Sequence, residues 1–543
     1  MSPQSRAIFL LAVSLTLPAA TFGQSPTSPT SDSACGSLAQ LKIPSATITL
    51  AQLVPAGTFS GPPAAFSGGD LTPFYKSLPA FCRVVAEAKP TADSDIKLEV
   101  WLPASGWNGK LQGIGNGGFA GLIDYYQIGA AIKKGYASTA TDAGHTGSPV
   151  DASWAMGHPE KVVDFGHRGI HEMTRVAKSL VQSFYGSAPK HSYFAGCSDG
   201  GREALMEAQR YPTDYDGILA GAPANYWSAL FSTAVIDTQA LTVDPASFIP
   251  QSKLPAISAA VLAACDELDG VRDGILNDPR QCHFDPASIQ CKAGEDSDKC
   301  LTAPQAAALK TIYDGLHDST GHVIFPGFMR GAEDGPGGWG LWITGSAPAR
   351  SLMTYFGFGF YTYMVYEKTD WDYKTFVLAP GMKAAEDKTA AALNATDSDL
   401  KPFHSAGGKL ILYHGWEDPA IPSVNSVNYY DSVVTTMGTS SADSFVRLYM
   451  LPGVQHCGGG PGPDSFGQVG DWTSPDDPQH NARFALEQWV EKGSAPSSII
   501  ASKYADGPQQ PPKMTRPLCP YPESAKYKGT GDTNDAANFV CAK

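Results

Sequence analysis

Between the apolar run Tyr193-Phe194-Ala195 and a helix-forming run from Arg202 stands the pentapeptide Gly196-Cys197-Ser198-Asp199-Gly200. It has the form G-x-S-x-G, which is sterically demanding. A serine at the tip of a sharp strand-to-helix turn leaves little room for side chains on its neighbours, so glycines flank it. The turn lifts the Ser198 hydroxyl above the strand end and aims the N–H of Asp199 toward the same point. A chain with 56 glycines can also hold this pattern by chance. The strand–turn–helix setting argues against chance here.

A serine hydroxyl is a poor nucleophile without a base. On a fold with this turn the partners follow in the order serine, acid, histidine. Asp418 lies just past the apolar run 409–413 (KLILY), and His456 just past 446–451 (VRLYML). Loops after strand ends are where functional groups are presented. Glu417 is a rival acid and His414 a rival histidine, with position favouring Asp418. Cys197 precedes Ser198 and Cys457 follows His456. If nucleophile and base touch, these two cysteines are near enough to bond.

The surrounding pattern predicts the fold. Strands are expected over 96–102, 110–114, 136–141, 192–195, 218–220, 409–413 and 446–451, and helices over 161–185, 202–210 and 478–492. Alternating β and α elements imply a mostly parallel sheet covered by helices, the α/β-hydrolase arrangement. Between about 225 and 404 the alternation is lost in Gly/Pro-rich sequence. That stretch reads as a large lid inserted over the sheet's C-terminal edge. The expected organisation is a signal peptide (1–23), the first part of the core (24–225), the lid (226–404) and the second part of the core (405–543).

Arg6 followed by the apolar run 7–20 has the form of an export signal, too short to span a bilayer. No other run reads as a membrane span. The ten cysteines are an even set, as an oxidising compartment allows, so disulfides are the default. Cys265, Cys282, Cys291 and Cys300 lack zinc-type C-x-x-C spacing, and local pairs, Cys265–Cys282 and Cys291–Cys300, are simpler. A formal charge of -14 argues against a nucleic-acid partner and against an anionic membrane surface. A secreted or periplasmic protein is expected.

These segments resemble the tannase and feruloyl esterase family of secreted ester hydrolases, which also includes a hydrolase of mono(2-hydroxyethyl) terephthalate. The matching stretches are Gly115-Asn116-Gly117-Gly118-Phe119, GCSDGGREALMEAQRYPTDYDGILAGAPA from Gly196, LILYHGWEDPAIP from Leu410, PGVQHCGGGPGPDSF from Pro452, and the tail RPLCPYP with AKYKGTGD. The resemblance implies a triad of Ser198, Asp418 and His456. It also implies disulfides Cys197–Cys457, Cys35–Cys82, Cys265–Cys282, Cys291–Cys300 and Cys519–Cys541.

Three features remain. Gly113, Gly115 and Gly118 fit G-x-G-x-x-G, with Asp142 24 residues beyond, close to a dinucleotide fingerprint. A secreted, disulfide-rich chain seldom keeps a nicotinamide cofactor. The resemblance instead makes the Gly118 N–H an oxyanion donor beside that of Asp199. The segment 265–275 (CDELDGVRDGI) places carboxylates and glycines as calcium prefers, though without the glutamate of an EF-hand; a solvated acidic turn fits its spacing equally. The resemblance favours structural Ca²⁺ held by Asp266, Asp269 and Asp273 with the carbonyls of Val271 and Ile275. Finally, 12 aromatics crowd residues 339–376. Most should form the lid's own core, with two or three facing substrate.

The expected activity is hydrolysis of small aromatic esters, such as ferulic, caffeic or gallic esters on plant polysaccharide. A terephthalate monoester is the alternative, with Arg350 as a candidate carboxylate partner. A nicotinamide oxidoreductase and a non-catalytic carbohydrate-binding protein are the readings of another class.

Overall fold

The computed structural model describes residues 32–64, 68–295, 297–331, 333–505 and 507–543. The leader expected over 1–23 lies outside the described residues.

The chain opens with three antiparallel strands, β1 (Ala46–Val54), β2 (Phe81–Ala88) and β3 (Ile96–Pro103). Four more follow: β4 (Lys110–Ile114), β5 (Ala137–Thr141), β6 (His191–Cys197) and β7 (Gly217–Gly221). The next two, β8 (Leu316–His317) and β9 (Val323–Phe325), form a small hairpin within the insertion. β10 (Lys409–Gly415) and β11 (Val446–Leu451) then return to the main sheet. Its order is β1-β2-β3-β5-β4-β6-β7-β10-β11, parallel from β5 onward.

The parallel strands are buried along almost their whole length, so they read as continuous apolar runs. Helices cover both faces. Gly169–Tyr185, Asp199–Arg210 and Val424–Met437 pack on one side, and Ala482–Lys492 on the other. This is the α/β-hydrolase fold. Its functional edge is the C-terminal end of the parallel strands, where β6, β10 and β11 each release a loop.

The insertion runs between β7 and β10. It is mainly helical, with Trp227–Thr242, Leu254–Cys265, Ala303–Asp314, Leu352–Gly359 and Leu378–Leu393 around its own apolar core. The stretch Pro245–Asp269 is long and apolar enough to span a bilayer by length and hydropathy, contrary to the reading of the sequence. It is divided into short turns around one helix, and Ile249, Leu254, Ile257 and Val261 are buried in the lid core.

One expected helix is broken. Residues 161–185 read as one amphipathic run, but a π-turn at Asp164–Arg168 separates Pro159–Val163 from Gly169–Tyr185. The buried Arg202 guanidinium donates to the carbonyls of Phe165 and Gly166. Those carbonyls serve a distant side chain rather than a regular helical ladder.

Five disulfides join Cys35–Cys82, Cys197–Cys457, Cys265–Cys282, Cys291–Cys300 and Cys519–Cys541, and no described cysteine is free. Cys35–Cys82 ties the N-terminal segment to β2, four strands from β6. Replacing both by alanine should lower unfolding free energy by about 4 kcal/mol on the chain-entropy argument. Chemical denaturation checks this. Turnover by the folded variant should be unchanged.

Candidate active site

Ser198 ends β6 with φ +67° and ψ -122°, a left-handed conformation that L residues avoid. The turn is possible because Gly196, Gly200 and Gly201 around it have no side chains. A Cβ on Gly196 would stand 2.2 Å from the Gly200 carbonyl oxygen, and one on Gly200 would stand 2.7 Å from that of Asn116. One on Gly201 would meet the Gly221 carbonyl at 2.2 Å. Strand, helix and the loop after β4 therefore meet backbone to backbone at the serine.

His456 comes from the loop after β11. Its Nε2 lies 2.9 Å from Ser198 Oγ, and its Nδ1 lies 2.7 Å from Asp418 Oδ2. Asp418, in the loop after β10, is fully buried. Its Oδ1 accepts the N–H groups of Ala420 and Ile421, at 2.7 and 2.9 Å. His414 Nε2 approaches Oδ2 at 3.1 Å and His414 Nδ1 meets Ser426 Oγ at 2.7 Å. Burial works to raise the Asp418 carboxyl. The charge of His456 and the hydrogen bonds from both histidines outweigh it and hold the group well below the usual carboxylate range.

The rival residues separate by geometry. Glu417 does not reach His456. Its buried oxygens have no partner among the described residues, and Gly331 of the lid lies against Oε1. Burial, with Glu333 nearby, pushes the Glu417 carboxyl well above its usual range. His414 supports Asp418 instead of facing Ser198. Cys197 and Cys457 are bonded, with Cα atoms 6.0 Å apart, directly beside the serine and the histidine.

The glycine loop after β4 forms no dinucleotide cradle. A Cβ on Gly115 would stand 2.9 Å from the Gly200 Cα, so the loop is packed onto the serine turn. Asp142 is occupied locally, accepting from the N–H groups of Lys97 and Gly144 and from Thr146 Oγ1. Gly118 has φ +60°, and a Cβ there would stand 2.3 Å from the Pro149 carbonyl oxygen. The N–H groups of Gly118 and Asp199 donate to no acceptor among the described residues, and both residues line the cavity at Ser198.

That cavity measures about 780 Å³. The lid supplies an apolar wall that includes Trp227, Leu230, Phe231, Trp342, Met353 and Phe356. Only Trp342 and Phe356 come from the 12 aromatics of 339–376. Trp339, Phe360 and Tyr361 are buried in the lid core. Trp227 and Phe231, which the sequence reading missed, lie on a helix that is buried on nearly every side. Trp342 also packs edge-on against His456, 5.0 Å between centroids. Among the described residues no lysine or arginine lines the cavity. Arg350 is on the surface, donating to Tyr355 Oη.

The acidic turn keeps its carboxylates on local partners. Asp266 accepts the Gly274 N–H, Asp269 that of Val271, and Asp273 that of Ile275. Asp273 also pairs with Arg516 at 2.7 Å. Burial, and then the nearby Asp273 charge, raise the Asp266 and Asp269 carboxyls. Among the described residues no three acidic, histidine or cysteine groups are arranged to hold a metal.

The family model described as "Tannase and feruloyl esterase" matches residues 82–542. An uncharacterized esterase of Xanthomonas campestris pv. campestris is 40% identical, over 95% of this chain and 92% of its own length. A protein of Aspergillus terreus named "Probable feruloyl esterase B-2" is 34% identical, over 85% of this chain and 86% of its own. The crystal structure of feruloyl esterase B from Aspergillus oryzae superposes with a TM-score of 0.85 at 30% identity, covering 94% of this chain and all of that one.

The two adjacent acids give a sharp test. Asp418→Asn should lower kcat on the order of 10³-fold or more, because it disturbs the hydrogen bond that fixes the His456 ring. Glu417→Gln replaces a buried carboxyl that does not reach His456 by a near-isostere and should stay within about a factor of three. Steady-state kinetics of the two purified variants decides between them.

Proposed function

The chain belongs to the tannase and feruloyl esterase family and is a carboxylic ester hydrolase; on that premise we propose that it cleaves esters of hydroxycinnamic acids, ferulate above all, through a Ser198 acyl-enzyme. Ser198 Oγ attacks the ester carbonyl carbon while His456 Nε2 takes its proton. Asp418 holds the imidazole in the tautomer that accepts and stabilises the imidazolium that forms. The carbonyl oxygen becomes an oxyanion received by the N–H groups of Gly118 and Asp199. His456 then returns the proton to the departing alcohol oxygen as the ester C–O bond breaks. Water attacks the acyl-enzyme by the reverse sequence, releasing the acid and restoring Ser198.

One observation carries this reading: the Ser198–His456–Asp418 relay opens onto an aromatic-walled cavity that no lysine or arginine lines among the described residues. A planar cinnamoyl group stacks well on Trp342, Phe356 and Phe231. A terephthalate monoester carries a free carboxylate, which would be desolvated there with no lysine or arginine to receive it. The three hydroxyls of gallate would meet the same apolar wall.

The five disulfides support an oxidising compartment and hence export. An ester carried on plant polysaccharide is the substrate we infer for an exported enzyme of this kind.

We also propose that the turn at 266–275 takes up structural Ca²⁺ through Asp266, Asp269, Asp273 and the Val271 and Ile275 carbonyls. The support is the hard-oxygen donor set and the mutual repulsion of three carboxylates in one turn. No catalytic step runs through the ion.

Two measurements check these proposals. Initial rates on methyl ferulate, methyl gallate and a terephthalate monoester should give kcat/KM at least about tenfold higher for ferulate than for the monoester; equal or better use of the monoester contradicts the cavity argument. Calcium at ~100 times its Kd should stabilise the wild-type fold by about 2.7 kcal/mol. Chelation should reverse the shift in melting temperature, and Asp269→Ala should abolish it. No shift on adding or removing calcium returns the segment to a plain acidic turn.

A further inference from the structure

Helix Asp199–Arg210, which starts at the nucleophile, buries a second acid one turn on. Glu203 has no exposed surface. Its Oε2 accepts the backbone N–H of Asn116 at 2.8 Å, and its Oε1 is buried without a partner among the described residues. This carboxyl therefore makes one hydrogen bond, to the loop that carries Gly118. Burying a polar group with half its capacity unused is costly, and nothing in the helix itself requires it.

Asn116 is the fixed point of that loop. Its carbonyl accepts the Gly200 N–H at 2.9 Å, and its Nδ2 donates to the Thr141 carbonyl at 2.8 Å. Gly115 N–H donates to the Ala195 carbonyl at 3.0 Å. Beyond Asn116 come Gly117 and Gly118, residues with the greatest backbone freedom to lose. The Asn116 N–H, partly buried, would otherwise lack this acceptor. Oxyanion donors act only when fixed before the charge develops, so a loop rich in glycine needs anchors from outside itself.

We propose that Glu203 is a positioning residue for the oxyanion hole, holding Asn116 so that the Gly118 N–H points at the developing oxyanion. It touches neither substrate nor reacting atoms. The acceptor on the loop's N–H and the helix that presents Ser198 thus belong to one rigid element, and nucleophile and hole keep a common frame. Burial, with the Asp199 charge nearby, raises the Glu203 carboxyl well above its usual range, and Arg202 opposes this only in part. This role rests on Gly118 being an oxyanion donor.

The test compares Glu203→Gln, Glu203→Met and Glu203→Asp with wild type and with Ser198→Ala. Glutamine keeps an acceptor at the same place and should retain kcat within about threefold. Methionine removes it, and kcat should fall roughly 10- to 100-fold with KM little changed, a share of what losing an oxyanion donor costs. Affinity for a trifluoromethyl ketone analogue of the ester, which forms the tetrahedral oxyanion, should fall in parallel while affinity for the free acid product does not. If the methionine variant does not fold, aspartate, with its carboxyl drawn back by one methylene, should show the same split. A folded Met or Asp variant with normal kcat and analogue affinity overturns the proposal, as does a glutamine variant impaired like methionine. Activity retained by Ser198→Ala overturns the acyl-enzyme reading and this role together. An inactive Ser198→Ala beside unimpaired Glu203 variants overturns only this role.

Discussion

The site depends on backbone contact at the end of β6. Ser198 sits at φ +67°, a conformation that costs on the order of 1–3 kcal/mol and persists only when its surroundings enforce it. Gly196, Gly200 and Gly201 let β6, the helix Asp199–Arg210, the loop after β4 and the end of β7 close to within a peptide's thickness of one another. That contact brings Asp199 and Gly118 to the wall of one cavity at Ser198. The Cys197–Cys457 bond then fastens the histidine loop, 260 residues away in sequence, to the same turn. The serine and the loop that carries its histidine thus share one covalently closed frame.

Charge beneath the turn reinforces the frame. Arg202 is fully buried, but its donors are met by Asp199 at 2.6 Å and by the Phe165 and Gly166 carbonyls. Its guanidinium also lies over the rings of Phe165 and Trp227, at 4.8 and 5.0 Å. A buried ion pair contributes little unless hydrogen bonds meet its other polar atoms; here the two carbonyls meet part of that need, while Asp199 Oδ2 has no partner among the described residues. The consequence is mechanical. One side chain links the nucleophile helix, the π-turn at Asp164–Arg168 and the first lid helix, so the lid's cavity wall is registered to Ser198. Asp418 shows the same economy, with every approach to its carboxylate taken by a donor.

The parts of this arrangement that are local in sequence were legible there. G-x-S-x-G, the apolar runs before Asp418 and His456, and the cysteines beside Ser198 and His456 each carry their meaning within a few residues. The strands β1 and β2 are not evident in the sequence pattern, because they pair antiparallel at the sheet's edge and lie outside the alternation of strands and crossover helices. Trp227 and Phe231 could not be recognised as cavity wall, since a helix that buries polar and apolar residues alike on most sides has no periodicity to show which face meets substrate. The aromatic cluster of 339–376 misled in the other direction, since a lid needs a core of its own. Asp142 and Glu203 make the point in physical terms. Each is a single acid that accepts a peptide N–H from far along the chain, Asp142 from Lys97 and Glu203 from Asn116, and no spacing encodes such a partner.

The account stands on Ser198 being the covalent nucleophile, and a p-nitrophenyl phosphonate reads this directly. Intact-mass measurement should show one phosphonyl group per chain, with activity falling in proportion, and fragmentation of the peptide holding residues 196–202 should place it on Ser198. The Ser198→Ala protein, folded and carrying its five disulfides, should take up none. A label on another residue, or wild-type enzyme that continues to hydrolyse ester after full modification of Ser198, would contradict the account.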